Sequence, residues 1–458
     1  MLALMALLAV FGVAPVGGQM QYRDAGGDVT LALVGDAIIT RKLSVYDEPA
    51  FLRLRELIQR STVAFANLEV LFHDFGDDAI PASESGGTYM GADPSLAKDL
   101  AWMGFDLVSR ANNHALDYGV GGMRATTRAL EAAGLAHAGT GENLARARAP
   151  AYVETRDGRV ALVSVASTFA DHMRAGPQRK DLRGRPGLSP LRYDTRYIVP
   201  RDRFNDLLEL RKKLGSSGAS DARDSTEATI LRNRFVVGDD YKVVTSPNPR
   251  DLEEIVATVK DAKRQANRVI VSSHTHEQGS ARDVPADFLI QFAHAVIDAG
   301  ADVFVGHGPH LLRAIEIYKG KPIFYSLGDF IFQNETVLFQ PADNYEQHDL
   351  AADALPGEFY DRREKQVGGF RTLIQDAVYW ESVVATVRFT GDKVSDVRLY
   401  PITLGHGLPR PQRGRPLLAG EPLGRKIIDD LRRLSRSFGT QIDYSDGIGT
   451  VSLPVNPN

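Results

Sequence analysis

Five separate β-favouring runs in this chain each end on a cluster of oxygen or nitrogen donors, and that recurrence constrains the fold more than any other feature. Val29–Val34 runs into Gly35-Asp36, Val63–Ala66 into Asn67-Leu68-Glu69, and Asp106–Ser109 into Asn112-Asn113-His114. Arg268–Ser273 runs into His274-Thr275-His276-Glu277, and Ala301–Val305 into Gly306-His307-Gly308-Pro309-His310. Ligands of α/β sheets gather beyond the carboxyl ends of the strands, where such clusters would lie side by side. Each cluster alone has an ordinary explanation: Gly-Asp is a frequent turn, Asn-Asn-His an Asx-turn and helix cap, and His307 with His310 a pair of surface imidazoles. Five in series point instead to one shared centre.

The donors are carboxylates, amides and imidazoles. The chain of 458 residues holds no Cys, which excludes disulfides, thiolate ligands and a cysteine nucleophile. Such a set suits a divalent transition metal, one or two ions of Mn, Zn, Fe or Co, rather than an iron–sulfur cluster. With 54 Lys+Arg against 58 Asp+Glu and no basic block interleaved with aromatics, nucleic acid is not the expected partner, and the Arg-rich stretch Arg179–Arg185 reads as solvated loop. The balance of 43% hydrophobic and 24% charged residues is that of a globular protein, expected here as a single domain over 28–453.

Helical and strand periods alternate along the chain, as in α/β folds. Helices are predicted at Pro49–Ile58, Asp93–Met103, Gly121–Gly134 and Pro285–Ala299, with a further buried strand at Val160–Ala166. Over 169–267 the pattern loosens into Gly/Pro/Arg-rich and Gly/Ser-rich stretches around a helical Phe204–Leu214, which reads as an insertion and a candidate lid. Beyond it, Val378–Thr390 and Val394–Tyr400 alternate like antiparallel strands, and Leu423–Phe438 is an amphipathic helix with an Arg-rich polar face, so that 378–453 closes the domain. At the other end, the apolar run Leu2–Val16 before Gly17-Gly18 makes 1–18 a candidate signal peptide without a basic n-region, and therefore suggests an exported or cell-envelope location. The run is shorter than the roughly 20 residues of a spanning helix; a poor signal or a buried strand in a cytoplasmic protein is the alternative.

The ordered series Gly35-Asp36, Asn67-Leu68-Glu69, Ala111–Gly119, His274, Gly306–His310 and Tyr325-Ser326-Leu327-Gly328-Asp329-Phe330 resembles the CapA family of poly-gamma-glutamate capsule synthesis proteins, related to the calcineurin-like metallophosphoesterases. The resemblance covers Val29 to Phe332 apart from the insertion. It implies a metallophosphatase-like sandwich of two mixed β-sheets flanked by α-helices, with a metal site on loops at the strand ends.

Carried over residue by residue, the resemblance assigns Asp36 to a first metal, Glu69 to the bridging carboxylate, Asn113, His274 and His307 to a second metal, and His310 back to the first. It sets His114 beside the metals as the group that protonates the leaving group or steadies developing charge. Asp117, three residues on, is placed to orient that ring, or else to face a helix dipole. Three departures from the pattern stand out. Ile38 occupies the place of a histidine ligand, Asp329 stands where CapA chains usually have Asn, and His276 replaces a glycine. Asp329 either supplies the missing donor or caps its loop. His276 is either a spare ligand or proton shuttle on the same side as His274, or a surface imidazole.

These readings lead to a metal-dependent hydrolase of a phosphoester or γ-glutamyl-type amide in capsule or envelope polymer handling, with an anionic polymer or small molecule as substrate and membrane-bound synthase proteins as candidate partners. Two alternatives remain: a non-catalytic accessory protein that binds an anionic polymer or a synthase complex, and a cytosolic small-molecule phosphoesterase or amidase.

Overall fold

The computed structural model describes residues 27–76, 78–215, 225–351, 353–365 and 373–454; the candidate signal peptide lies outside them. Two mixed β-sheets pack face to face and each is covered by helices on its outer side, which is the sandwich architecture expected from the resemblance. The alternation of side chains along each strand explains the layering. In the strand Val29–Ile38, Val29, Leu31 and Leu33 face the second sheet, while Ala32 and Val34 face helices. In Gly158–Ala166, Val160 and Leu162 point inward and Ala161, Val163 and Val165 outward.

The first sheet pairs Val29–Ile38 in parallel with Val63–Leu68, which pairs in parallel with Leu107–Ser109. On its other edge Val29–Ile38 runs antiparallel to Glu381–Thr390, which pairs with Lys393–Thr403. The second sheet sets Gly158–Ala166, Arg268–His274 and Val303–His307 in parallel. The outer helix of the first sheet, Pro49–Gln59, starts on a proline and buries Phe51, Leu54 and Ile58 at helical spacing. The second sheet is covered by Asp287–Asp298 and by Pro249–Gln265, whose Asn248 side chain accepts from the Asp251 amide. The amphipathic helix Leu423–Ser435 closes one end of the inter-sheet core through Ile427, Ile428 and Leu431.

The stretch 169–267 contains a small four-stranded sheet: Tyr193–Val199, Glu227–Ile230, Asn233–Val237 and Lys242–Pro247. The helix Arg201–Lys213 covers it through Phe204. Its last part, Pro249–Gln265, is the crossover that joins the parallel strands Gly158–Ala166 and Arg268–His274, a connection parallel pairing requires. Among the described residues no helix is long and apolar enough to cross a membrane.

Candidate metal centre

The parallel strands of both sheets end at one place, and register brings their donors abreast. Asp36 pairs with Asn67 on one side and with Asp329 on the other, while His274 lies level with His307. The first strand reaches Ile38 rather than ending at Val34, passing Gly35 and Asp36 with a break in register that re-aims the Asp36 side chain. Gly35 is required there, since a Cβ would come within 1.8 Å of the Gly328 carbonyl oxygen, and the Asp36 amide donates to that same oxygen at 2.9 Å. His310 is held at φ 57°, a conformation rare for a residue with a side chain and typical of strained functional loops.

The structure groups the donors into two triads, buried except for the half-buried His276. Asp36, His310 and Asp329 each offer one atom within 4.8 Å of the others, as do Glu69, His274 and His276. In the first, His310 Nδ1 lies 2.8 Å from Asp329 Oδ1 and 3.6 Å from Asp36 Oδ2. In the second, His274 Nε2 lies 3.5 Å from Glu69 Oε1 and 3.0 Å from His276 Nε2. Glu69 Oε1 is also 3.8 Å from His310 Nε2, so this carboxylate stands between the triads. His307 Nδ1 is 3.6 Å from Asp36 Oδ1, and Asn113 borders the cavity above the cluster. His276 and Asp329 thus belong to the triads, with His307 against Asp36 beside them.

Orphaned polar atoms test whether a cation fits. Both oxygens of Glu69, both ring nitrogens of His307, Asp329 Oδ2 and Asn113 Oδ1 are buried without a hydrogen-bond partner among the described residues. Buried polar groups are ordinarily paired, and six orphans around one point are the arrangement a divalent ion would satisfy. Ionisation points the same way. Burial pushes the Asp36 carboxyl up to about 7, although His310 opposes it. Glu69 is driven well above the usual carboxylate range by burial and then by Asp36 and Asp329, and Asp329 by burial. Burial holds His307 down at about 3 and keeps His274, His276 and His310 below the usual imidazole range. With these carboxyls ionised the cluster would carry negative charge that neutral imidazoles do not offset, and a divalent cation would offset it. The residues present therefore fit one or two divalent ions.

His114 stands outside both triads. Its Nδ1 lies 2.6 Å from Asp117 Oδ2, which also accepts from the Met90 amide at 2.8 Å, while its Nε2 is 3.9 Å from Glu69 Oε1. His114 borders a cavity of about 310 Å³ that His276, His310 and Ile38 also line. No described residue of 169–267 lines this cavity; its outer walls are Gly86, Thr88 and Met90, Gln278 and Arg282, and Arg363, Leu373 and Tyr379.

Several residues support the site without having been candidate ligands in the sequence. The Asn67 amide donates to Asp36 Oδ1 at 2.8 Å and lies 3.1 Å from His274 Nδ1, tying the two triads together. Thr168 Oγ1 accepts from the His276 amide at 2.9 Å, and Glu277 accepts from Ser167 and Thr168 at 2.7 and 3.0 Å, fixing the loop that carries His276. The fully buried Arg313 donates to the carbonyls of Thr275 and His276.

Fold and site define the class: an α/β sandwich with a buried carboxylate–imidazole centre at the carboxyl ends of its parallel strands. The family model described as bacterial capsule synthesis protein PGA_cap matches residues 25–334, and the chain belongs to that family. It is 39% identical over 433 residues to the uncharacterized protein y4sH of Sinorhizobium fredii, covering 93% of both chains. It is 29% identical over 235 residues to the PGA biosynthesis protein CapA of Bacillus subtilis, covering 51% of this chain and 44% of that one. Among solved structures, a Staphylococcus aureus protein named "Putative 5'-Nucleotidase" aligns with a TM-score of 0.36 and 12% identity over 89% of this chain and 58% of its own. At that distance the fold is defined by this chain's own strand order.

Proposed function

We propose that this protein is a metal-dependent hydrolase of a phosphoester or γ-glutamyl-type amide, acting in capsule or envelope polymer handling. The observation that carries the reading is the pair of triads, Asp36–His310–Asp329 and Glu69–His274–His276, with orphaned donor atoms of Glu69, His307, Asp329 and Asn113 around them. Membership of a capsule synthesis family supports the polymer context.

In this reading Asp36, His310 and Asp329 hold one ion, Glu69, His274 and His276 hold the other, and Asn113 and His307 complete the set. Divalent ions in such a site polarise the reacting phosphoryl or carbonyl group and make water a better nucleophile. The chain's own contribution centres on His114. Asp117 accepts from Nδ1 and fixes the ring, so Nε2 faces the cavity and delivers a proton to the departing oxygen or nitrogen. Asn67 holds Asp36 and the His274 ring in place, and Thr168 holds the backbone that carries His276. Metal analysis combined with aryl-phosphate and γ-glutamyl-anilide turnover tests the reading, with His114→Ala as the variant that separates catalysis from binding.

One observation favours the non-catalytic accessory reading: Ile38, an apolar side chain, lines the cavity beside His310. A metal-loaded protein inert toward both substrate types would favour it.

A further inference from the structure

The helix Pro356–Lys365 lies beyond the family-matched residues 25–334, yet its Arg363 lines the same cavity as Asn113, His114 and His310. The guanidinium donates to Thr88 Oγ1, a neutral hydroxyl, and has no carboxylate in ion-pair range among the described residues. The other two arginines that line the cavity are engaged: Arg282 is paired with Asp376 at 2.6 Å, and Arg313 donates to the backbone carbonyls of Arg282, Thr275 and His276.

We infer that Arg363 binds an oxyanion of the substrate, a carboxylate or phosphate held on the cavity wall. Glu335, the acid whose charge acts on Arg363, is already paired with Arg410 and Arg413. The inference rests on the hydrolase reading for what the bound anion is doing there. The guanidinium fork matches carboxylate and phosphate oxygens in pairs, and a partly desolvated cation without a partner gains most when one arrives. A cavity of about 310 Å³ is at the small end of ligand pockets, so it takes one terminal unit of a polymer or a small molecule rather than a length of chain. For an amide substrate that anion is the free carboxylate of a γ-linked terminal residue. For an ester it is the phosphate itself.

The test titrates inorganic phosphate and glutarate by calorimetry into metal-reconstituted wild type, Arg363→Gln and Arg363→Lys, with metal content measured on each. We expect the anion that binds wild type to bind Arg363→Gln about tenfold or more weakly at equal metal content, with Arg363→Lys between them. Selective loss of phosphate binding identifies the ester source, and selective loss of glutarate binding the carboxylate source. Equal affinity of both anions for wild type and Arg363→Gln, or no binding of either to wild type, overturns the inference. Oxyanion binding that depends on Arg363 in a protein without turnover removes the hydrolase reading and leaves this one standing. Turnover with KM and anion inhibition unchanged in Arg363→Gln does the reverse.

Discussion

His310 Nδ1 and Asp329 Oδ1 lie 2.8 Å apart at the point where Asp329 pairs in register with Asp36. Asp329 therefore stands on the side of the centre where Ile38 supplies no donor. A carboxylate that both ligates and steadies its neighbouring imidazole matters twice to a cation. Asp329→Asn is expected to weaken metal binding by roughly 10–100-fold, measured by chelator competition, while the fold is retained. Affinity equal to wild type would assign Asp329 to the loop alone.

His114→Ala is expected to lower turnover by roughly 10²–10⁴-fold with metal content unchanged, because the ring reaches the cavity through Nε2 and lies outside both triads. Asp117→Asn, which leaves the ring but changes its Nδ1 partner, is expected to cost less. Elemental analysis of both variants beside a steady-state assay checks this. Loss of metal in His114→Ala to the degree seen in His307→Ala would reassign His114 as a ligand.

Without metal, the buried Asp36 carboxyl should lower stability as pH rises toward neutrality. The Asp36 carboxyl, raised from 3.8 to about 7, contributes stability that is complete below about 4 and lost as pH rises through about 7. Burial also raises Glu69 and Asp329, so their contributions act in the same direction as that of Asp36. His307, lowered from 6.5 to about 3, acts oppositely: its contribution is complete above 6.5 and lost as pH falls toward 3. Thermal melts of metal-free wild type beside Asp36→Asn should therefore show wild type losing Tm relative to the variant between roughly pH 4 and 7, and saturating Mn or Zn should raise the wild-type Tm most at the upper end of that range. A metal-induced shift that is the same at all pH values would contradict this.

Gly35→Ala should prevent folding or lower stability severely, because the added methyl would collide with the Gly328 carbonyl between two paired strands. Phe65→Ala, which empties a fully buried inter-sheet position beside His307, should cost about 3–5 kcal/mol in denaturant titrations. A Gly35→Ala protein as stable as wild type would mean that the first strand does not continue past Val34.

Much of this architecture was legible because its signals are local. The runs at Val63, Arg268 and Val303 are fully buried strands, and a short apolar stretch ending on donors shows where such a strand stops. The resemblance supplied the donor series. Gly35-Asp36 was harder, since a turn and an irregular strand have the same composition, and only pairing with Leu68 and Ile331 shows that the chain stays extended to Ile38. The start of the second helix slipped from Asp93 to Leu96 because the intervening residues form its leading turn. The small sheet of 169–267 escaped because strands such as Asn233–Val237 are half-exposed and too short for a clear alternation. Arg363 had no signal at all: in Asp361-Arg362-Arg363-Glu364-Lys365 it reads as one more solvated charge, and only packing against Thr88 reveals its direction.

The most direct test of the central claim is elemental analysis of the purified protein, as isolated and after reconstitution with Mn or Zn, beside the double variant Asp36→Asn/Glu69→Gln. The account predicts about one to two equivalents of transition metal per chain in wild type and near none in the variant. Wild-type protein that holds no metal under any reconstitution, or a variant that holds as much as wild type, would contradict it.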